Sequence, residues 1–112
     1  INCIHNKEKL LDVQKEIESH HVECLAYVGD MGKVDDCQKL FSKIQSTWQS
    51  LDVLVNNAGY GYRAAIEESE DEEIDLLFRT NVFGPVKLMN LCLPKMREDN
   101  SGIIIMFLLS VQ

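Results

Sequence analysis

At 112 residues, with 11 Lys and Arg against 18 Asp and Glu and a formal net charge of −7, the chain is at most one domain and reads as part of one. The acidic balance argues against nucleic acid as a principal partner, since no basic patch stands out. Hydrophobic content of 46% and charged content of 26% are ordinary for a globular chain, and the longest apolar run, Ile103 to Leu109, is too short to cross a bilayer as a helix, so no membrane association is evident.

Strand and helix patterns alternate along the chain. Residues 1–4 suit the end of a strand, and a helix from about Lys7 to Ser19 would bury Leu10, Val13 and Ile17. Val22 to Val28 reads as a second strand, closed by Gly29-Asp30. The next helix, about Lys33 to Gln49, carries the stripe Val34, Cys37, Leu40, Phe41, Ile44 and Trp48. Leu51 to Val55 is a short apolar run that stops at Asn56-Asn57-Ala58-Gly59. A loop with Gly61, Tyr62 and Arg63 leads to a long helix, about Glu70 to Arg97, and Asn100-Ser101-Gly102 turns into a last strand, Ile103 to Leu109. Strands alternating with helices imply parallel pairing through crossovers with both sheet faces covered, an α/β class.

Glu67, Glu68, Glu70, Asp71, Glu72, Glu73 and Asp75 gather at the start of the long helix, where the helix dipole favours carboxylates. No His or Cys accompanies them, so a metal site is the weaker reading. Cys3, Cys24, Cys37 and Cys92 form no C-x-x-C pair and fall on apolar faces, which points to free thiols in a reducing compartment such as the cytoplasm.

One residue breaks the long helix's pattern. The apolar stripe runs Ile74, Leu77, Phe78, Val82, Met89, Cys92, Leu93 and Met96, yet the polar Asn81 shares that face. Pro85 lies four residues on and has no N–H, so the Asn81 carbonyl loses its usual helical donor. A freed carbonyl beside an amide side chain could hold a water at the kink; simple packing at the kink is the alternative. In an open parallel sheet, ligands bind beyond the carboxyl ends of the strands. Three strands end there in Gly29-Asp30, in Asn56-Asn57-Ala58-Gly59 and in Ser110. Ala58 and Gly59 let a flat ligand approach the backbone, and the Asn57 amide is suited to bracing neighbouring loops.

These residues resemble the short-chain dehydrogenase/reductase family of the classical type. Leu51 to Gly59 looks like the family's Asn-Asn-Ala-Gly motif with its lead-in, and Asn81, 22 residues past Gly59, falls where the family keeps the Asn of its catalytic tetrad. The stretch from Asn81 through Pro85 to Met96 is similar to the family's central helix. The resemblance covers essentially the whole chain and implies a Rossmann-like, doubly wound parallel sheet, incomplete, with residues 1–112 a partial NAD(P)-binding domain. It implies hydride transfer between nicotinamide and a carbonyl or secondary alcohol carbon of a small molecule. Asp30 would contact adenine through its side chain and Met31 through its backbone; Asn57, Ala58 and Gly59 would border the cofactor. The Asn81 main-chain carbonyl would hold a water in the proton relay that serves a Tyr. The full-length parent would be a homodimer or tetramer, with the long helix at the interface.

The chain also departs from the family pattern. The Gly-rich phosphate loop is expected before residue 1 and the Tyr-x-x-x-Lys pair beyond residue 112, because Tyr27, Tyr60 and Tyr62 are followed four residues on by Met31, Ala64 and Ile66. Ser110 stands one residue past the family's usual serine position. It is either the substrate serine with an altered lead-in or the end of a divergent strand. The strand end Cys3-Ile4-His5-Asn6-Lys7 has no acid to take the ribose hydroxyls, which leans towards NADP over NAD, with His5 or Lys7 near a 2′-phosphate. Tyr60, Tyr62 and Arg63 read as loop surface beside the site. A sugar-nucleotide epimerase relative of the extended type and a truncated, non-enzymatic interaction module are the other readings.

In the family's strand order the first strand sits centrally, between the two halves represented here, so its absence would leave unpaired edges. The 112-residue chain by itself is therefore expected to be poorly stable and catalytically dead. A cooperative thermal transition together with NAD(P)H turnover by the purified chain would refute this.

Overall fold

The alternation of strand and helix is realised in the structure, a computed structural model that describes residues 1–107. The chain divides into two compact units, Ile1–Asp30 and Met31–Gln112. Each holds its own two-stranded parallel sheet, because a sheet is continuous only through strands that share a ladder.

The first unit contains β1 (Asn2–Cys3), α1 (Lys7–Glu18) and β2 (Tyr27–Val28). Asn6 caps α1: its side-chain oxygen accepts from the Lys9 N–H at 2.9 Å, satisfying one of the donors a helix start leaves free. Leu10 is buried as expected, but Val13 is 39% exposed. β2 is much shorter than the predicted 22–28 run. Its ladder has only Asn2 and Cys3 to face Tyr27 and Val28, and the Cys24 carbonyl instead accepts from the Gln14 amide at 2.6 Å. A strand needs a neighbour: the Leu25 carbonyl still accepts from the Ile1 nitrogen at 2.9 Å, and before it a helix side chain takes that place at Cys24.

The second unit contains α2 (Val34–Trp48), β3 (Val53–Asn56), a 3-10 turn (Ile66–Glu68), α3 (Asp71–Phe78), a π-helical turn (Arg79–Phe83), α4 (Gly84–Glu98) and β4 (Ile103–Met106). β3 and β4 pair in register from Val53 opposite Ile103 to Asn56 opposite Met106. The ladder extends at both ends through Ile103 N–H to the Asp52 carbonyl and Phe107 N–H to the Asn56 carbonyl. α4 packs on β3 and on α2, with Cys37, Leu40, Cys92 and Met96 buried. The expectation that both sheet faces are covered fails here. Val53, Val55, Ile103 and Ile105 are exposed, since period-two alternation turns them away from Leu54 and Asn56 and no described helix of this unit packs on their side.

The long helix is not one α-helix. Pro85 cannot donate to the Asn81 carbonyl, and the chain answers with a π turn in which the Gly84 N–H donates to Arg79. α4 then starts afresh with Pro85 in its first turn, where a missing N–H costs little. The extra residue rotates the register by roughly 100°. The predicted stripe is therefore split: Met89 and Leu93 stay half-buried and Cys92 and Met96 buried, while Phe78 and Val82 are exposed. α4 ends in a Schellman turn, with Asn100 left-handed at φ 49 and the Ser101 N–H donating to Met96 at 3.0 Å.

The first turn of α4 also packs backbone to backbone. A Cβ added at Gly84 would collide with the Met31 carbonyl, so only glycine lets that segment close on the helix. Gly84→Ala is expected to destabilise the protein by about 2 kcal/mol through overpacking, despite alanine's better helix propensity. The check is a lower urea midpoint at unchanged slope; an unchanged midpoint would show that the Met31 contact yields freely.

Candidate active site

The site lies at the carboxyl ends of β3 and β4, within the second unit. Asn56 closes β3 on the same face as Leu54 and is 6% exposed. Its amide donates to the Met106 sulfur at 3.2 Å, tying the last rungs of the two strands together. Past it, Ala58 and Gly59 line a cleft of about 200 Å³ whose other walls are Asn81, Val82 and Pro85 from the π turn and α4, and Met106 and Phe107 from β4. Small residues on one wall and apolar ones on the other suit a flat, partly polar ring.

Asn81 lines this cleft, and its side chain grips the loop after Gly59. The amide oxygen accepts from the Tyr60 N–H and the amide nitrogen donates to the Tyr60 carbonyl, each at 2.7 Å. This pair satisfies a loop peptide that has no strand partner.

Asn57 is exposed, while Asn56 bonds Met106 across the strand pair and Asn81 bonds the Tyr60 backbone. Tyr60, read as loop surface, is half-buried. Its backbone is held by Asn81 and its hydroxyl donates to the Glu73 carboxylate in the first turn of α3. The bond to Glu73, with burial and the carboxylate's charge, raises the Tyr60 pKa above the usual 10.0, so the hydroxyl keeps its proton. Tyr62 does similar work at the helix start, where its hydroxyl accepts from the Glu70 N–H at 3.2 Å. Part of the acidic cluster thus begins a helix and anchors the loop. Burial pushes the Cys92 thiol pKa up. All four cysteines are free.

The remaining predicted residues are placed as follows. Met31, in the second unit, is 4% exposed, and its carbonyl accepts from the buried Cys37 thiol at 3.2 Å. Asp30 ends the first unit, half-buried, and His5 is exposed in the turn between β1 and α1. Ser110 lies outside the described residues. Asn56, Tyr60 and Glu73 are not legible in the sequence as a supporting group. Strand alternation was the available signal for Asn56; nothing local pairs Tyr60 with Glu73.

Parallel strands joined through helices, with a cleft beyond their carboxyl ends, define a Rossmann-like α/β protein. The chain belongs to the short chain dehydrogenase family, whose profile matches residues 1–111. It is 33% identical over 97 residues to a glucose and ribitol dehydrogenase of Daucus carota, a match covering 86% of this chain and 33% of that protein. It is 30% identical over 105 residues to a 3-oxoacyl-acyl-carrier-protein reductase of Staphylococcus epidermidis, covering 94% and 43%. Among solved structures, L-sorbose reductase from Gluconobacter frateurii, complexed with NADPH and L-sorbose, superposes with a TM-score of 0.86 at 25% identity over 90% of this chain and 39% of that one. A metagenomic short-chain oxidoreductase in complex with NADP gives 0.87 at 27% identity, covering 94% and 47%. The chain thus spans between a third and a little under half the length of these relatives.

The Asn81 grip on Tyr60 needs both its donor and its acceptor. Asn81→Ala should cost about 2 kcal/mol, from two hydrogen bonds worth about 1 kcal/mol each. Asn81→Asp keeps the acceptor but turns a carboxylate oxygen onto the Tyr60 carbonyl, and should cost more. Urea unfolding of the two variants checks the order, and equal costs would contradict the two-bond grip.

Proposed function

We propose that this chain is the cofactor-side part of an NAD(P)-dependent oxidoreductase that transfers a hydride between nicotinamide and a carbonyl or secondary alcohol. The observation that carries the reading is the cleft where Ala58 and Gly59 face Asn81 and Pro85 beyond the ends of β3 and β4. Its size, small-residue wall and apolar wall fit the nicotinamide end of a dinucleotide. The bound cofactor supplies the hydride chemistry; the chain's residues supply position. Ala58 and Gly59 admit the cofactor's flat end close to the backbone, and the Asn57 amide borders it. The Asn81 main-chain carbonyl holds the relay water, since Pro85 offers it no donor. Asp30 and the Met31 backbone recognise adenine, and Ser110 polarises the substrate oxygen.

NADP is the proposed cofactor in preference to NAD. His5 and Lys7 stand where an acid would favour NAD, and both are exposed and able to meet a 2′-phosphate. The two similar solved oxidoreductases carry NADPH and NADP. Among the described residues no helix is long and apolar enough to cross a membrane, and the free cysteines suit a cytoplasmic setting. A small-molecule substrate and a homodimeric or tetrameric parent complete the reading. The relatives named above are dehydrogenases and reductases, which favours this function over an epimerase or a non-enzymatic module.

Titration of the intact protein with NADPH and NADH, followed by nicotinamide fluorescence, tests the proposal. NADPH should bind about tenfold more tightly than NADH, the contribution of one charge-assisted contact, and the double variant His5→Ala, Lys7→Ala should narrow the gap. Failure to bind either cofactor would overturn the oxidoreductase reading; equal binding would overturn only the NADP preference.

A further inference from the structure

The loop that follows Gly59 is fixed at both of its polar levels. Its backbone is gripped at Tyr60 by the Asn81 amide. Its side chain is gripped by Glu73, which accepts from the Tyr60 hydroxyl. Asn81 belongs to the π turn and Glu73 to the first turn of α3, so Tyr60 ties two parts of the helical run to the peptide that directly follows a cleft-lining glycine. The two grips hold different parts of one residue, the peptide at Asn81 and the ring end at Glu73. Together they define one position.

We propose that Tyr60 is a positioning residue, which through its hydroxyl bond to Glu73 fixes the Gly59 backbone and the Asn81 side chain that shape the nicotinamide end of the cleft. This rests on the oxidoreductase reading for its consequence, though not for its geometry. Tyr60 touches no reacting atom in this scheme; it acts through Gly59 and Asn81. The raised Tyr60 pKa agrees, because the bond to Glu73 holds the proton on the Tyr60 hydroxyl. The π turn carries the same logic, since such turns place side chains that a regular helix would aim elsewhere.

The test compares Tyr60→Phe, Glu73→Ala and Glu73→Gln in the intact protein, reading NADPH affinity, thermal midpoint and hydrogen exchange at the Tyr60 amide. Tyr60→Phe and Glu73→Ala should each weaken NADPH binding by about fivefold, in the range of a lost charge-assisted hydrogen bond. Glu73→Gln still accepts from the hydroxyl and should retain most of the affinity. The double variant Tyr60→Phe, Glu73→Ala should be no weaker than either single variant, as for two halves of one interaction. Exchange at the Tyr60 amide should quicken in the two disrupting variants with the thermal midpoint little changed. Wild-type affinity in both disrupting variants, or a double variant with the sum of the single losses, would overturn the proposal. If the wild-type protein binds no NADPH, the oxidoreductase reading fails instead, and exchange at Tyr60 decides the tether by itself: unchanged exchange sinks it.

Discussion

The missing N–H of Pro85 is the constraint on which the site depends. An α-helix running through position 85 would leave the Asn81 carbonyl without its donor, and the chain widens the preceding turn instead. The widening has two results. The helical register shifts, so the two halves of the long helix bury different faces, and Asn81 comes to lie against the loop after Gly59. There its amide takes both polar groups of the Tyr60 backbone. A backbone defect in the helix is thereby converted into support for a loop that has no ladder of its own.

Support in the second unit comes from short-range pairs at the strand ends rather than from an extensive core. Asn56 binds Met106 across the β3–β4 pair, Asn81 binds Tyr60, and Tyr60 binds Glu73. Among the described residues the fully buried side chains are few and small, Cys37 and Cys92. Surface ion pairs such as Lys95 with Glu98 and Asp99 contribute little at these exposures. Polar bonds that fix the cleft walls therefore weigh heavily in holding its shape, because the packing around them leaves Val53, Val55, Ile103 and Ile105 open to solvent.

Much of this was legible beforehand, and the failures have definite causes. Helix limits were close, since Asn6 and Asn100 carry end signals that act within a few residues. Parallel pairing followed from the alternation of elements. The second strand was overestimated, because apolar run length says nothing about how much partner strand is present opposite it. The stripe on the long helix misplaced Phe78 and Val82, because a constant period cannot anticipate an inserted residue. Strand alternation distinguishes the buried Asn56 from the exposed Asn57.

The sequence by itself determined the class of protein: the strand–helix alternation, the Asn-Asn-Ala-Gly block at a strand end, and Asn81 paired with Pro85 are local patterns, written in spacing and in the chemistry of single residues. It also determined that the helix could not pass Pro85 unchanged. Only the tertiary structure decided what the freed region does. Whether Asn81 holds a water with its amide or grips a peptide depends on which backbone lies beside it, and the loop at Tyr60 is 21 residues away in sequence. The Tyr60–Glu73 bond likewise spans 13 residues of irregular chain. No periodicity records such a meeting, because it is set by how the loop folds back on the helix.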